Sequence, residues 1–141
     1  MFKVLLPIDS NGQRAELATE AVLDLPCVDT EYRILILNIF QQIRASDSGG
    51  QYDSERYYDE SDFPESVEAA VETLDARGID HSMHRRHGEP AKEIIRFSEE
   101  TDAQRIIMAG RRRSPTGKAL FGSVAQQVLL KSEIPVTIVV D

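Results

Sequence analysis

Residues 105–123, RIIMAGRRRSPTGKALFGS, decide how this chain is read. The segment opens on an apolar run, Ile106-Ile107-Met108, with the composition of a buried strand. It then becomes a loop carrying Arg111, Arg112, Arg113 and Lys118 with no acidic residue among them. It closes on Gly122-Ser123, immediately before a helical pattern, Val124-Ala125-x-x-Val128-Leu129-Leu130. A strand, a basic glycine-containing loop and a helix start in succession form an anion cradle. The first N–H groups of the helix lack intrahelical acceptors, and the helix dipole places positive potential there. In a chain of net charge −8, this loop is a local reversal of sign.

Working outward, strand and helix signals alternate on both sides. Residues 2–8, FKVLLPI, are almost wholly apolar, as in strands covered on both faces of a parallel sheet. Asp9-Ser10-Asn11-Gly12 is turn and cap chemistry, with Asp9 the expected N-cap of the following helix, bonded to the N–H of Gly12 or Gln13. That helix carries Ala15, Ala18, Ala21, Val22 and Leu25 on one stripe and ends near Leu25-Pro26. RILILNIF, 33–40, is a second buried strand. The polar stretch 41–61, with Gly49-Gly50 and Tyr52, Tyr57 and Tyr58, reads as a flexible surface loop or a lid. Pro64 opens an amphipathic helix with Val67, Ala70, Val71 and Leu74, ended by Arg77-Gly78. Residues 81–87 make a polar strand near a sheet edge, and Gly88-Glu89-Pro90 turns into a helix burying Ala91, Ile94, Ile95 and Phe97. The strand 105–109, a helix from Ser123 to about Lys131 and a last strand 135–140 complete the chain.

The resulting order, β-α-β-α-β-α-β-α-β, predicts one α/β domain over residues 1–141: a five-stranded parallel sheet between two layers made by four helices, with right-handed crossovers. Ligands of such sheets bind beyond the carboxyl ends of the strands, where strand order reverses. Asp9, Asn38 and the 109–123 loop all follow strand ends and are expected to meet there.

Composition excludes several classes. A length of 141 residues with 41% hydrophobic and 28% charged content is that of an ordinary globular domain needing no metal or disulfide staple. The single cysteine, Cys27, has no internal partner, which fits a reducing compartment, and it reads as packing. Nothing approaches the roughly 20 apolar residues that span a bilayer, and the short apolar start is unlike a signal peptide. A cytoplasmic location without membrane association follows as the expectation. The acidity argues against nucleic acid as a partner.

Other motifs carry less. Gly110 to Lys118 imitates a phosphate loop, but six residues separate Gly110 from Gly117 where the motif has four, and Ala119 stands at the hydroxyl position. His81 and His87 share one strand face and His84 the other, with no Cys or carboxylate completing a tetrahedral metal set. Asp9 has no second carboxylate at motif spacing for magnesium. Arg113-Ser114-Pro115 has the form of a phosphorylation site, a pattern common by chance. No nucleophile elbow or Ser/His/Asp constellation is present.

Over essentially its whole length the chain resembles the universal stress protein family. The resemblance rests on Val4-Leu5-Leu6-Pro7-Ile8-Asp9, on Gly88-Glu89-Pro90-Ala91 with Glu93-Ile94-Ile95, and most specifically on Gly122-Ser123-Val124-Ala125 through Ile134-Pro135-Val136-Thr137-Ile138-Val139. It implies a Rossmann-like three-layer sandwich of strand order 3-2-1-4-5, and homodimers formed through the last strand, here Val136, Ile138 and Val140. It also implies a role in stress survival rather than a defined reaction. Some members bind ATP through Gly, two residues, Gly, nine residues, Gly, then Ser or Thr. Aligned on Gly122-Ser123, the first two glycines fall at Ala109 and Arg112, so this chain keeps only the end of the pattern. Gly110 and Gly117 offer flexibility at shifted positions, and Arg111, Arg112, Arg113 and Lys118 offer phosphate contacts by side chain.

By resemblance, Asp9 and Ile39 take the adenine side, Met108 and Ala109 the ribose side, and Ser123 and Val124 the phosphate side. Pro7, Gly110 and Gly122 complete the candidate set. The expected function is non-catalytic binding of ATP, AMP or another phosphate by a homodimer, with magnesium only alongside ATP and any ATP hydrolysis slow and incidental. The alternative is an interaction module of the same fold that binds no nucleotide.

Overall fold

The computed structural model describes residues 1–41, 59, 61–111 and 122–140. Its elements are β1 (Phe2–Pro7), α1 (Gly12–Leu23), α2 (Val28–Glu31), β2 (Tyr32–Gln41), α3 (Glu65–Ala76), β3 (Asp80–Gly88), α4 (Pro90–Glu100), β4 (Arg105–Gly110), α5 (Ser123–Lys131) and β5 (Val136–Val140). All five strands pair in parallel, in the order β3-β2-β1-β4-β5. The predicted α/β sandwich and strand order are therefore observed. The body of the expected 41–61 loop and most of the basic loop, with Arg112, Arg113, Gly117 and Lys118, lie outside the described residues.

The strands are apolar on both faces because each face has its own helical layer. Val4, Leu6, Ile34, Ile36 and Ile107 pack with Ala15, Ala18 and Val22 of α1 and with Val67, Ala70 and Leu74 of α3. The alternate residues Leu5, Leu35, Leu37, Ile106 and Met108 pack with Ala91, Ile94 and Phe97 of α4 and with Ala125 and Val128 of α5. The two-residue period of a strand thus feeds two separate cores. At the edge strand β3 the same alternation separates the histidines. His81 faces Asp75 of α3, with Nε2 3.5 Å from the carboxylate. His84 lies against Phe97 of α4, ring centroids 4.9 Å apart.

Three local expectations are corrected. A fifth helix is present, the four-residue α2, too short to leave a periodic signal in sequence. Cys27, expected to pack, is exposed. It adopts the left-handed conformation, φ 57°, and its carbonyl accepts the N–H groups of Thr30 and Glu31, so its backbone caps α2 while the thiol faces out. The N-cap of α1 is Asn11, whose Oδ1 accepts the Arg14 N–H at 2.9 Å, because the helix starts later than the Asp9 reading assumed.

His84 makes stability depend on pH. Burial lowers its proton affinity below the ordinary value of 6.5, and the charges of Arg86 and Arg33 lower it further. The folded pKa therefore lies below the unfolded one, and the unfolded chain binds the proton more readily. Stability is fully present above about pH 6.5 and is lost as pH falls from there through the folded pKa. Urea titrations between neutral and mildly acidic pH are expected to show a shallower decline for His84→Gln than for the wild type. Parallel curves for the two proteins would contradict this.

Candidate functional site

The chain passes from β1 to β2 and β3 on one side of the sheet and then returns to β4 on the other. The ladder between β1 and β2 runs from Phe2–Tyr32 to Pro7–Leu37, whereas β1 and β4 are paired only at Val4–Arg105 and Leu5–Ile106. The two central strands part before their carboxyl ends, which is where a switch-point crevice opens. A crevice of about 500 Å³ lies there, within the size range of small-molecule sites.

Pro7, Asp9, Ile39, Met108, Ala109, Gly110, Arg111, Gly122, Ser123 and Val124 all line it. These residues come from four separate chain segments, which the fold brings to one crevice. Arg112 and Arg113 lie outside the described residues. Sequence reasoning did not assign a site role to Arg14, Phe40, Arg85, Pro90 or Ile94, which also line the crevice. Arg14 follows Asp9 within the first helical turn and was legible in principle. Arg85 and Phe40 carried no spacing signal, because their proximity arises from the β2–β3 register, Phe40 opposite His87 and Asn38 opposite Arg85.

One end of the crevice is a helix start. Gly122 precedes α5 with φ 79° and ψ 159°, and having no side chain it supplies no side-chain cap. The opening N–H groups of α5 are the unsatisfied donors of any helix start, a setting that favours negative charge. Arg111 stands beside this turn, its Cβ 3.5 Å from the point a Cβ on Gly122 would occupy. The apolar side chains of Ile39, Met108 and Ile94 also line the crevice. Arg85 and Phe40 also line it; the Arg85 guanidinium lies over the Phe40 ring, 5.3 Å from its centroid, and bonds the carbonyls of Asp59 and Asp62.

The β1–α1 turn is held from beneath. Asn38, 4% exposed, donates from Nδ2 to the Ile8 carbonyl at 2.9 Å. Ser66 of α3, also buried, donates from Oγ to the Asp9 carbonyl. The Asp9 carboxylate accepts the Asn11 N–H on Oδ1 at 2.9 Å and the Arg14 guanidinium on Oδ2 at 3.0 Å. Among the described residues lining the crevice, Asp9 is the one carboxylate, set against the cations Arg14, Arg85 and Arg111. No group of three or more metal-ligating side chains occurs among the described residues. No helix among them is long and apolar enough to cross a membrane.

The model of the universal stress protein family matches residues 1–140. The chain belongs to this family. A universal stress protein of Methanocaldococcus jannaschii is 25% identical over 139 residues, covering 97% of this chain and 81% of the relative. A solved universal stress protein of Archaeoglobus fulgidus superposes with a TM-score of 0.69 at 24% identity, covering 98% of each chain. Another from the same organism, in complex with dAMP, gives 0.62 at 20% identity over 98% of this chain and 97% of that one. A family member from Arabidopsis thaliana with AMP bound gives 0.67 at 16% identity over 99% and 92%. At these identities the structural likeness is one of fold. This family member shares their Rossmann-like α/β architecture, with the parallel order 3-2-1-4-5.

Proposed function

We propose that this universal stress protein binds a nucleotide in the crevice, without catalysing a reaction on it, and works as a cytoplasmic homodimer. The observation that carries the reading is the crevice itself, lined by the apolar side chains of Ile39 and Met108, by Asp9, and by Gly122 and Ser123 at the start of α5. A base fits against the apolar side chains, with its polar edge toward Asp9, and the phosphates lie against Ser123, Val124 and Arg111. AMP and dAMP complexes of proteins with this fold support the reading. Side-chain contacts from Arg111 replace the close backbone approach that glycines at 109 and 112 would give. Magnesium is expected only with ATP, whose phosphates would supply most of its ligands. Asp9 is already engaged by Arg14 and Asn11, so it is a poor general base for hydrolysis.

The homodimer rests on β5, an edge of the sheet in this chain. Val136 and Ile138 point into their own core, packed against the α4–α5 cluster, so edge pairing would run through backbone N–H and C=O groups. Leu129 and Leu130 of α5, the helix that precedes β5, are 43% and 83% exposed and would be covered by a second copy.

Titration calorimetry with AMP, ADP and ATP, with and without magnesium, tests the binding. Saturable heat at one site per chain, weakened by added salt, is expected. Absence of heat at millimolar concentrations of all three would overturn it in favour of an interaction module. The same samples should scatter light as dimers at micromolar concentration and return the nucleotide unhydrolysed.

A further inference from the structure

We propose that Asn38 does more than anchor the β1–α1 turn: its side-chain oxygen accepts a hydrogen bond from the amino group of the bound base. This rests on the nucleotide reading above and concerns the same site. Backbone pairing of β1 with β2 ends at Pro7–Leu37, and the Ile8 N–H bonds the Leu37 carbonyl. The Asn38 side chain takes over from there, Nδ2 donating to the Ile8 carbonyl at 2.9 Å. A carbonyl only accepts, so this bond fixes which way the amide lies, with nitrogen toward Ile8 and Oδ1 away from it.

Oδ1 is then an acceptor without a donor. Among the described residues nothing donates to it, although Asn38 is only 4% exposed. The oxygen is not sealed in the core, and the open space that Asn38 borders is the crevice. The neighbouring acceptor is less needy. Asp9 already takes the Asn11 N–H on one oxygen and the Arg14 guanidinium on the other. A nearly buried amide oxygen left unpaired is costly, so a ligand donor placed there gains more than one added to an engaged carboxylate.

The chemistry of a nucleotide narrows the donor. Phosphates only accept and are repelled by an amide oxygen. The ribose side of the site lies at Met108 and Ala109 on β4, and β1 stands between β4 and β2. Two inter-strand spacings, roughly 10 Å, therefore separate the sugar side from Asn38. What remains is an N–H on the base, which lies against Ile39, the residue after Asn38.

The test compares AMP with purine riboside 5′-monophosphate, which carries hydrogen in place of the 6-amino group. Calorimetry gives the affinity ratio in the wild type, Asn38→Ala, Asn38→Asp and Ser66→Ala. The wild type is expected to favour AMP by about ten-fold, the scale of one hydrogen bond to a nearly buried group. Asn38→Ala should bring the two ligands within about three-fold of each other. Asn38→Asp keeps an oxygen at this point and should keep the preference. Ser66→Ala loosens the same turn at the Asp9 carbonyl, and should weaken both ligands together without moving the ratio. Asn38→Ser, too short to hold the Ile8 carbonyl and reach the base at once, replaces Asn38→Ala if that variant does not fold. A wild type that treats the ligands alike, or a ratio that survives the loss of the amide, would overturn the contact and leave nucleotide binding standing. Equal loss of the ratio in Asn38→Ala and Ser66→Ala would reduce Asn38 to an anchor. A wild type that binds neither ligand would remove the nucleotide reading as well.

Discussion

Gly122→Ala is expected to weaken nucleotide binding by at least about ten-fold and to cost about 1–3 kcal/mol of stability, the usual range for a residue forced into a glycine-only backbone region. Gly122 has φ 79° and ψ 159°, a conformation that a Cβ makes strained. Space is not the obstacle, since an added Cβ would meet Arg111 at 3.5 Å and 3.7 Å, ordinary contact distances. The backbone must therefore rotate. Gly122 fixes the direction from which the chain enters α5, so its rotation turns the first N–H groups of the helix away from the crevice. Calorimetry with AMP and urea unfolding read the two effects separately. Gly12→Ala is the control: Gly12 opens α1, its φ is not positive, and nothing lies within 4 Å of an added Cβ. If both variants bind AMP like the wild type, the α5 entry turn is not part of the site.

Phe97→Ala is expected to destabilise the fold by about 3–5 kcal/mol, the usual cost of truncating a buried aromatic side chain. Phe97 is 2% exposed and is the largest of the fully buried side chains among the described residues. It lies in the core between the sheet and α4–α5, and its ring also supports β3, with His84 at 4.9 Å and the Arg86 guanidinium at 5.1 Å from its centroid. Its removal leaves a cavity in one core and takes away the surface that shields His84 from water. The loss is a large fraction of the roughly 5–15 kcal/mol that holds a domain of this kind together. A urea midpoint close to the wild-type value would show that the layer closes over the gap. The same variant should also soften the pH dependence attributed to His84, since burial is its first cause.

How far the sequence could be read depended on whether a feature was local or assembled. FKVLLPI and RILILNIF announce strands covered on both faces, and helical stripes between them announce crossovers. Gly78, in the left-handed conformation with φ 67°, ends α3 where Arg77-Gly78 indicated. Local reading failed where a small change in the turn altered the outcome. Asp9 and Asn11 are both good caps, and only the start of α1 at Gly12 selects Asn11. Cys27 looked like a small apolar residue next to Val28, but the chain reversal at its positive φ sends the thiol outward.

Sequence alone determined the alternation of elements, the two-sided burial of the strands and the strand ends that carry Asp9, Ile39 and Met108, because these follow from periodicity and turn chemistry within a few residues. Tertiary structure decided the rest of the site. The Asp9–Arg14 pair depends on the exact turn of α1, the anchoring of that turn depends on Asn38 and Ser66 from β2 and α3, and the presence of Arg85 and Phe40 depends on strand register. Contacts between groups 23 to 57 residues apart in the chain, such as Arg85 with the Asp62 carbonyl and Ser66 with the Asp9 carbonyl, are fixed by packing of whole layers. No pattern within either segment encodes them.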